Sequence, residues 1–178
     1  MTTILLARHG ETDWNHEGRW QGWADPPLND TGRAQARALA EQLEETPFDA
    51  VYASDLRRAF ETAEIVAAPH GLAVVAEQGL REIDLGAWSG LTLSEIEERF
   101  PDGIRPDGET RPEHARRVLA AVERIARAHE GERILIVSHG GTFRALHGHL
   151  SDRPYHPVEN CAVLELHFRD DRLVTPIG

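Results

Sequence analysis

One nine-residue pattern occurs twice in this chain: I-L-x-x-x-H-G-x-T runs from Ile4 to Thr12 and again from Ile134 to Thr142. In each copy a short apolar run reads as a buried strand. An imidazole follows at once, and then a glycine that lets the backbone turn sharply and approach a ligand. If the two runs are neighbouring parallel strands, His9 and His139 emerge side by side at one edge of the sheet, which is where open α/β sheets bind ligands. The first copy adds a permanent cation, Arg8, beside His9. A cation next to an unprotonated imidazole suits nucleophilic attack on a phosphorus or acyl centre.

The remaining segments alternate strand and helix signals. Glu17 to Leu28 is loop-like, with glycines, two prolines, Trp20 and Trp23, and tryptophans so placed are expected to cap the core. Within it, Gln21 and Gly22 offer an amide side chain and an open backbone N–H for a phosphate oxygen. Asn15 can do the same, or close an Asx-turn. A helix is predicted from Asn29-Asp30-Thr31 to about Glu45, with Ala36, Leu39, Ala40 and Leu43 as its apolar stripe. Phe48 to Ala53 reads as a strand, and Ser54 as the N-cap of the helix that follows. Arg57 and Arg58 then fall in a first turn, where the helix dipole disfavours cations. Local rules are broken in this way at functional sites, and an arginine at a helix N-terminus beside a sheet edge makes an anion site. Arg58 is the candidate; Arg57 is assigned to the surface.

Further on, Gly71 to Ala76 gives another short strand, and Leu80 to Gly90 a loop carrying Glu82 and Asp84. Either carboxyl can protonate a leaving oxygen, or pair with Arg81; bare spacing leaves both open. Leu93 to Phe100 and Arg111 to His129 are helical by pattern, separated by a Pro- and Gly-bearing loop. After the second strand-His-Gly unit come a helix from about Thr142 to Leu150 and a final strand pair near Ala162 to Phe168 and Arg172 to Val174. The 178 residues fit one α/β domain.

Composition excludes several chemistries. The net charge of −11 argues against nucleic acid and against an anionic membrane. No apolar run approaches the ~20 residues of a membrane span, and the N-terminus lacks the pattern of a signal peptide. Cys161 is the single cysteine, which fits a reducing cytoplasm. All nineteen basic residues are arginine, so neither a P-loop lysine nor a Schiff-base lysine exists. An acidic chain handling an anionic substrate then needs a local arginine pocket. No D-x-D occurs for an aspartyl-phosphate nucleophile, and His167 stands where a thiol-phosphatase loop starting at Cys161 would need arginine. No H-E-x-x-H is present, and a helix would point His147 and His149 apart, so no metal site is expected.

With these pieces in order, the chain resembles the histidine phosphatase superfamily in its phosphoglycerate-mutase-like branch. The resemblance rests on R-H-G-E-T-x-x-N (Arg8 to Asn15), Q-G-W-x-D-x-P-L (Gln21 to Leu28) and S-D-L-x-R-A-x-x-T-A (Ser54 to Ala63). It continues through L-x-E-x-x-x-G-x-W-x-G (Leu80 to Gly90), G-E-T (Gly108 to Thr110) and S-H-G-G (Ser138 to Gly141). Asn29 stands where many relatives carry threonine. The resemblance implies an α/β three-layer sandwich, a mainly parallel central sheet flanked by helices. It implies that His9 is the phosphorylated nucleophile, that Arg8, Arg58 and His139 bind the transferred phosphoryl group, and that Glu82, not Asp84, is the proton donor. Asn15, Gln21, Gly22, Gly140 and Gly141 match substrate- or phosphate-contact positions. It implies no metal or other cofactor and a small phosphorylated metabolite as substrate; a homodimer is compatible with it. True phosphoglycerate mutases of the family carry an insert between the donor glutamate and G-E-[ST]. Only Ile83 to Asp107 lies there in this chain, so hydrolysis is expected over the mutase reaction, and an inactive phosphate-binding regulator is the remaining alternative.

Overall fold

The computed structural model describes residues 1–176. Its centre is strand β1 (Thr2–Arg8), paired in parallel with β4 (Arg133–Ser138) and antiparallel with β5 (Val163–Arg169). Beyond β4 lie β2 (Ala50–Ala53) and β3 (Val74–Ala76), both parallel to their neighbours, and beyond β5 lies the short β6 (Arg172–Val174). The six-stranded sheet therefore runs β3-β2-β4-β1-β5-β6.

Successive side chains of a strand point to opposite faces, and in β1 and β4 both faces are apolar. Ile4, Leu6, Ile134 and Ile136 pack under helices α5 (Arg111–Ala128) and α6 (Gly140–Leu150), against Val118, Val122, Ile125, Phe143 and Leu146. Leu5, Ala7, Leu135 and Val137 pack under α2 (Asp30–Leu43) and α3 (Arg57–Ala67), against Leu39, Leu43, Ala59, Ala63 and Val66. A strand buried on both faces is what a parallel layer between two helical layers requires. The three-layer α/β arrangement implied by the sequence resemblance is thus the one observed.

Some boundaries differ from the sequence reading. A four-residue helix, α1 (Asp13–His16), forms where the sequence reading assigns no element, closed by a capping box between Thr12 and Asn15, whereas α4 (Leu93–Arg99) forms where a helix is predicted. α6 starts at Gly140, immediately after His139, instead of near Thr142. β3 is three residues long because a short 3₁₀ turn ends at Gly71 in the left-handed conformation. Ser54 does not cap α3: Leu56 holds the N-cap position without a side-chain bond. Asp25, arriving from a distant loop, accepts from the Arg57 backbone N–H at 2.7 Å. A carboxylate at the positive end of the helix dipole does the work assigned to Ser54.

Candidate active site

The β1–β4 register sets Arg8 opposite Ser138, so the next residue of each strand, His9 and His139, leaves the sheet at the same edge. Their rings lie 5.2 Å apart, centre to centre, at 59°. The backbone at Gly10 passes so close to α2 that any Cβ there would meet the Gly32 carbonyl oxygen at 2.5 Å. The Gly10 N–H donates to Thr62 Oγ1 on α3 at 3.0 Å.

His9 is almost wholly buried, and its Nδ1 lies 2.7 Å from the Gly10 carbonyl oxygen. A carbonyl can only accept, so Nδ1 carries the proton and Nε2 keeps the lone pair. Burial first, then the charges of Arg58 and Arg8, hold the His9 pKa well below the ordinary imidazole value. The ring is therefore neutral at neutral pH, with a free lone pair on Nε2.

Arg58, the second residue of α3, is completely buried. Its guanidinium donates to the carbonyls of Ala24 at 2.8 Å and Gly22 at 2.9 Å. Burial pulls its pKa down to about 10, and Arg8 adds repulsion, but the group stays charged at neutral pH. Arg8 donates from Nη1 to the Val158 carbonyl at 2.5 Å, and burial lowers its pKa as well. The Nε of both arginines, both nitrogens of His139 and Nε2 of His114 are buried without a hydrogen-bond partner among the described residues. Buried donors are rarely left in that state; the two arginine Nε–H groups and the one N–H of a neutral His139 ring, close to the His9 imidazole, mark a place for an oxygen-rich anion.

Glu82 closes the opposite side. Its Oε1 accepts from the Ile83 N–H at 2.8 Å and its Oε2 from the Gly141 N–H at 3.1 Å. Asp84 instead turns inward on its own loop, accepting from the Gly86 N–H at 3.0 Å. Arg81 is taken by Asp55 in a two-bond pair at 2.7 and 2.6 Å, so it competes for neither carboxyl. Arg117 of α5 clamps the Glu82 backbone: it donates to the carbonyls of Gly79, Arg81 and Glu82 while paired with Glu109. Trp23 donates to the same Glu82 carbonyl at 2.8 Å.

These groups share a cavity of about 1250 Å³, which is lined by Arg8, His9, Asn15, Gln21, Gly22, Arg58, Glu82, Gly140 and Gly141, among others. The candidates from the sequence lie on it except Asp84 and His139, the latter packed against His9 with no exposed surface. Asn15 is partly engaged, since its side chain accepts from the Thr12 N–H at 3.1 Å. Gln21 accepts from the Thr12 hydroxyl at 2.9 Å. Neither loop tryptophan caps the core: Trp20 forms part of the cavity wall, and the Arg81 guanidinium lies over the Trp23 ring at 4.9 Å. Seven arginines line the cavity against two carboxylates, Glu82 and Asp152, in a chain of net charge −11. Among the described residues no group of three or more His, Cys, Asp or Glu is placed to hold a metal ion, and no helix is long and apolar enough to cross a membrane.

Two contributors are missed from sequence. His114 sits four residues before Val118 on the stripe that α5 buries, and a histidine on an apolar stripe is a legible signal. Asn160 donates to the His9 carbonyl at 2.9 Å from an irregular segment, and no pattern points to it.

A neutral imidazole at a sheet edge, sharing a cavity with two buried guanidinium groups, is the arrangement of a phosphoryl-transferring α/β enzyme. Comparison with known proteins narrows the class. The family description that matches, over residues 4–175, is the histidine phosphatase superfamily (branch 1). Phosphoglycerate mutase-like protein 4 of Arabidopsis thaliana is 42% identical over 158 residues, covering 81% of this chain and 69% of that protein. Phosphoserine phosphatase 1 of Hydrogenobacter thermophilus is 34% identical, covering 83% and 75%. Among solved structures, Bacillus stearothermophilus YhfR superposes with a TM-score of 0.90 at 36% identity, covering 97% of this chain and 94% of that one. The chain belongs to the histidine phosphatase superfamily and is an enzyme of the phosphatase and mutase type.

Proposed function

We propose that this enzyme hydrolyses a small phosphorylated metabolite through a phosphohistidine on His9. The observation that carries the reading is the Nδ1–H to Gly10 carbonyl bond. It fixes the Nε2 lone pair toward the site, among nitrogens that lack partners. In the first half-reaction Nε2 bonds to phosphorus as the ester oxygen leaves in line. Arg8 and Arg58 neutralise the equatorial oxygens, and Glu82 gives its proton to the departing alcohol. In the second half-reaction Glu82, now a carboxylate, takes a proton from water. The water oxygen bonds to phosphorus and the P–N electron pair returns to Nε2. His139 packs against His9, and its unpartnered ring supplies a further N–H for a phosphoryl oxygen. Gly140 presents its backbone N–H at the start of α6, while the Gly141 N–H holds Glu82 Oε2.

Hydrolysis is favoured over the mutase reaction by the short Ile83 to Asp107 segment and by exposed residues along the outer cavity, Arg111, Arg144 and Arg153 among them. Water reaches such a site. Substrates of the kind named in the relatives, phosphoserine and phosphoglycerates, are the first to assay. The test is rapid quenching after mixing with a radiolabelled phosphomonoester. An acid-labile adduct should form in the wild type and be missing in His9→Ala, which should also lose turnover. Full hydrolysis by His9→Ala removes His9 from the reaction. Glu82→Gln should slow alkyl phosphates far more than aryl phosphates, whose leaving group needs little protonation; equal slowing removes Glu82 from the donor role.

A further inference from the structure

His114 has no part in the chemistry above, yet its ring stands beside the donor's carboxyl group. It lies in the first turn of α5, 4% exposed, with Nε2 3.9 Å from Glu82 Oε1. That Nε2 has no partner among the described residues, and the ring borders the cavity. The nearby Arg81 backbone carbonyl favours a proton on the ring, and a proton on Nδ1 leaves Nε2 as the lone-pair nitrogen. The Nε2 lone pair therefore faces a carboxyl oxygen, an arrangement that is repulsive unless a proton lies between them.

We propose that His114 is a positioning residue for the proton donor: its Nε2 accepts the Oε1–H of the acid form of Glu82 and holds that proton until the ester oxygen arrives. The proposal rests on the reading of Glu82 as donor. Two backbone N–H groups, those of Ile83 and Gly141, stabilise the carboxylate form, which the second half-reaction uses. The first half-reaction needs the acid form, and an acceptor aimed at Oε1 supplies the opposing bias. Closing 3.9 Å to the ~2.8 Å of an O–H···N bond takes a modest swing of the carboxyl group. Proton balance is unaffected: the proton passes from Glu82 to the alcohol and is replaced from water, and His114 only orients it.

The imidazole suits this role because it is neutral. Burial is the main cause of its lowered pKa. Of the charged neighbours, Glu82 and Glu109 favour a proton on it, while Arg117, one turn further along α5, opposes one. His139, at the head of α6, is itself held neutral by burial and Arg58, and Arg8 and Arg58 face Glu82 from the far wall.

The test compares His114→Leu with His114→Gln, whose side-chain carbonyl can also accept an O–H. For an alkyl phosphate such as phosphoserine, His114→Leu should lower kcat about tenfold at pH 7 and shift the alkaline limb of the kcat profile to lower pH by about one unit. The same variant should slow p-nitrophenyl phosphate less, and His114→Gln should recover most of the loss. Equal slowing of both esters with an unmoved pH profile, or His114→Gln behaving like His114→Leu, overturns the proposal and leaves His114 a packing residue. If Glu82→Gln slows both esters equally, the donor reading itself has failed; if it separates them while His114→Leu does not, only the positioning role has.

Discussion

Gly141→Ala perturbs the site by a single methyl group. Gly141 is the second residue of α6, with helical backbone, so alanine fits the main chain without strain. The added Cβ would overlap Glu82 Oε1, lie 3.0 Å from the Glu82 carboxyl carbon and 3.1 Å from Cε1 of His114. Both neighbours are side chains, so the backbone can stay while the carboxyl retreats by on the order of 1 Å to regain van der Waals distance. That retreat breaks the 3.1 Å bond from the Gly141 N–H and moves the proton away from the leaving oxygen. A misplacement of about 1 Å costs roughly a hundredfold, ~2.7 kcal/mol of barrier. Removing a glycine from a helix should in turn stabilise the fold by ~0.5–1 kcal/mol. The expected signature is lost turnover of alkyl phosphates with an unchanged or raised denaturation midpoint. Steady-state kinetics on phosphoserine and p-nitrophenyl phosphate, beside urea unfolding, would read it. Gly148→Ala, on the same helix with nothing within 4 Å of the new methyl, supplies the stability reference. Wild-type turnover of alkyl phosphates by Gly141→Ala would show that Glu82 need not stand where it does, and the donor assignment would fall.

Two further measurements bear on the same electrostatics. His9 and His139 are both held neutral, chiefly by burial and then by Arg58; the unfolded chain binds protons near pH 6.5 while the native rings do not. Stability should therefore be full above pH 6.5 and fall below it by about 1.4 kcal/mol per pH unit for each ring. Urea midpoints that stay flat from pH 7.5 to 5 would mean that the rings protonate in place. The arginine lining should also concentrate anionic substrate, so kcat/KM for a phosphate dianion is expected to fall several-fold between about 20 and 500 mM NaCl. No salt dependence would remove any steering role from Arg111, Arg144 and Arg153.

The sheet was the most legible part of the molecule, because four apolar residues before each of two histidines admit few alternatives to adjacent buried strands. The β1–β4 register then follows from pairing Ile4 with Ile134. Legibility faded wherever the partner of a group lies far away in sequence. Ser54 looked like a cap because the local pattern could not show Asp25 arriving from a loop 32 residues away to bind the Arg57 N–H. Asn160 could not be foreseen for the same reason: it reaches the His9 carbonyl across 151 residues.

The case of Arg58 runs the other way. A cation in the first turn of a helix is locally unfavourable, and that conflict marked Arg57 and Arg58 out from seventeen other arginines. The structure shows how the conflict is tolerated. Two of the Arg58 nitrogens are absorbed by the carbonyls of Gly22 and Ala24, so the loop that carries Gln21 and Gly22 is tied to α3 by the charge itself. The Arg58 Nε is buried without a partner among the described residues. One residue thus anchors the loop with two of its five N–H donors and leaves three, the Nε–H and one on each terminal nitrogen, for an incoming oxygen. A lysine could reach the same place, but as a single point of charge it cannot bond two carbonyls and keep a fixed donor in reserve. An all-arginine chain is what such a pocket calls for.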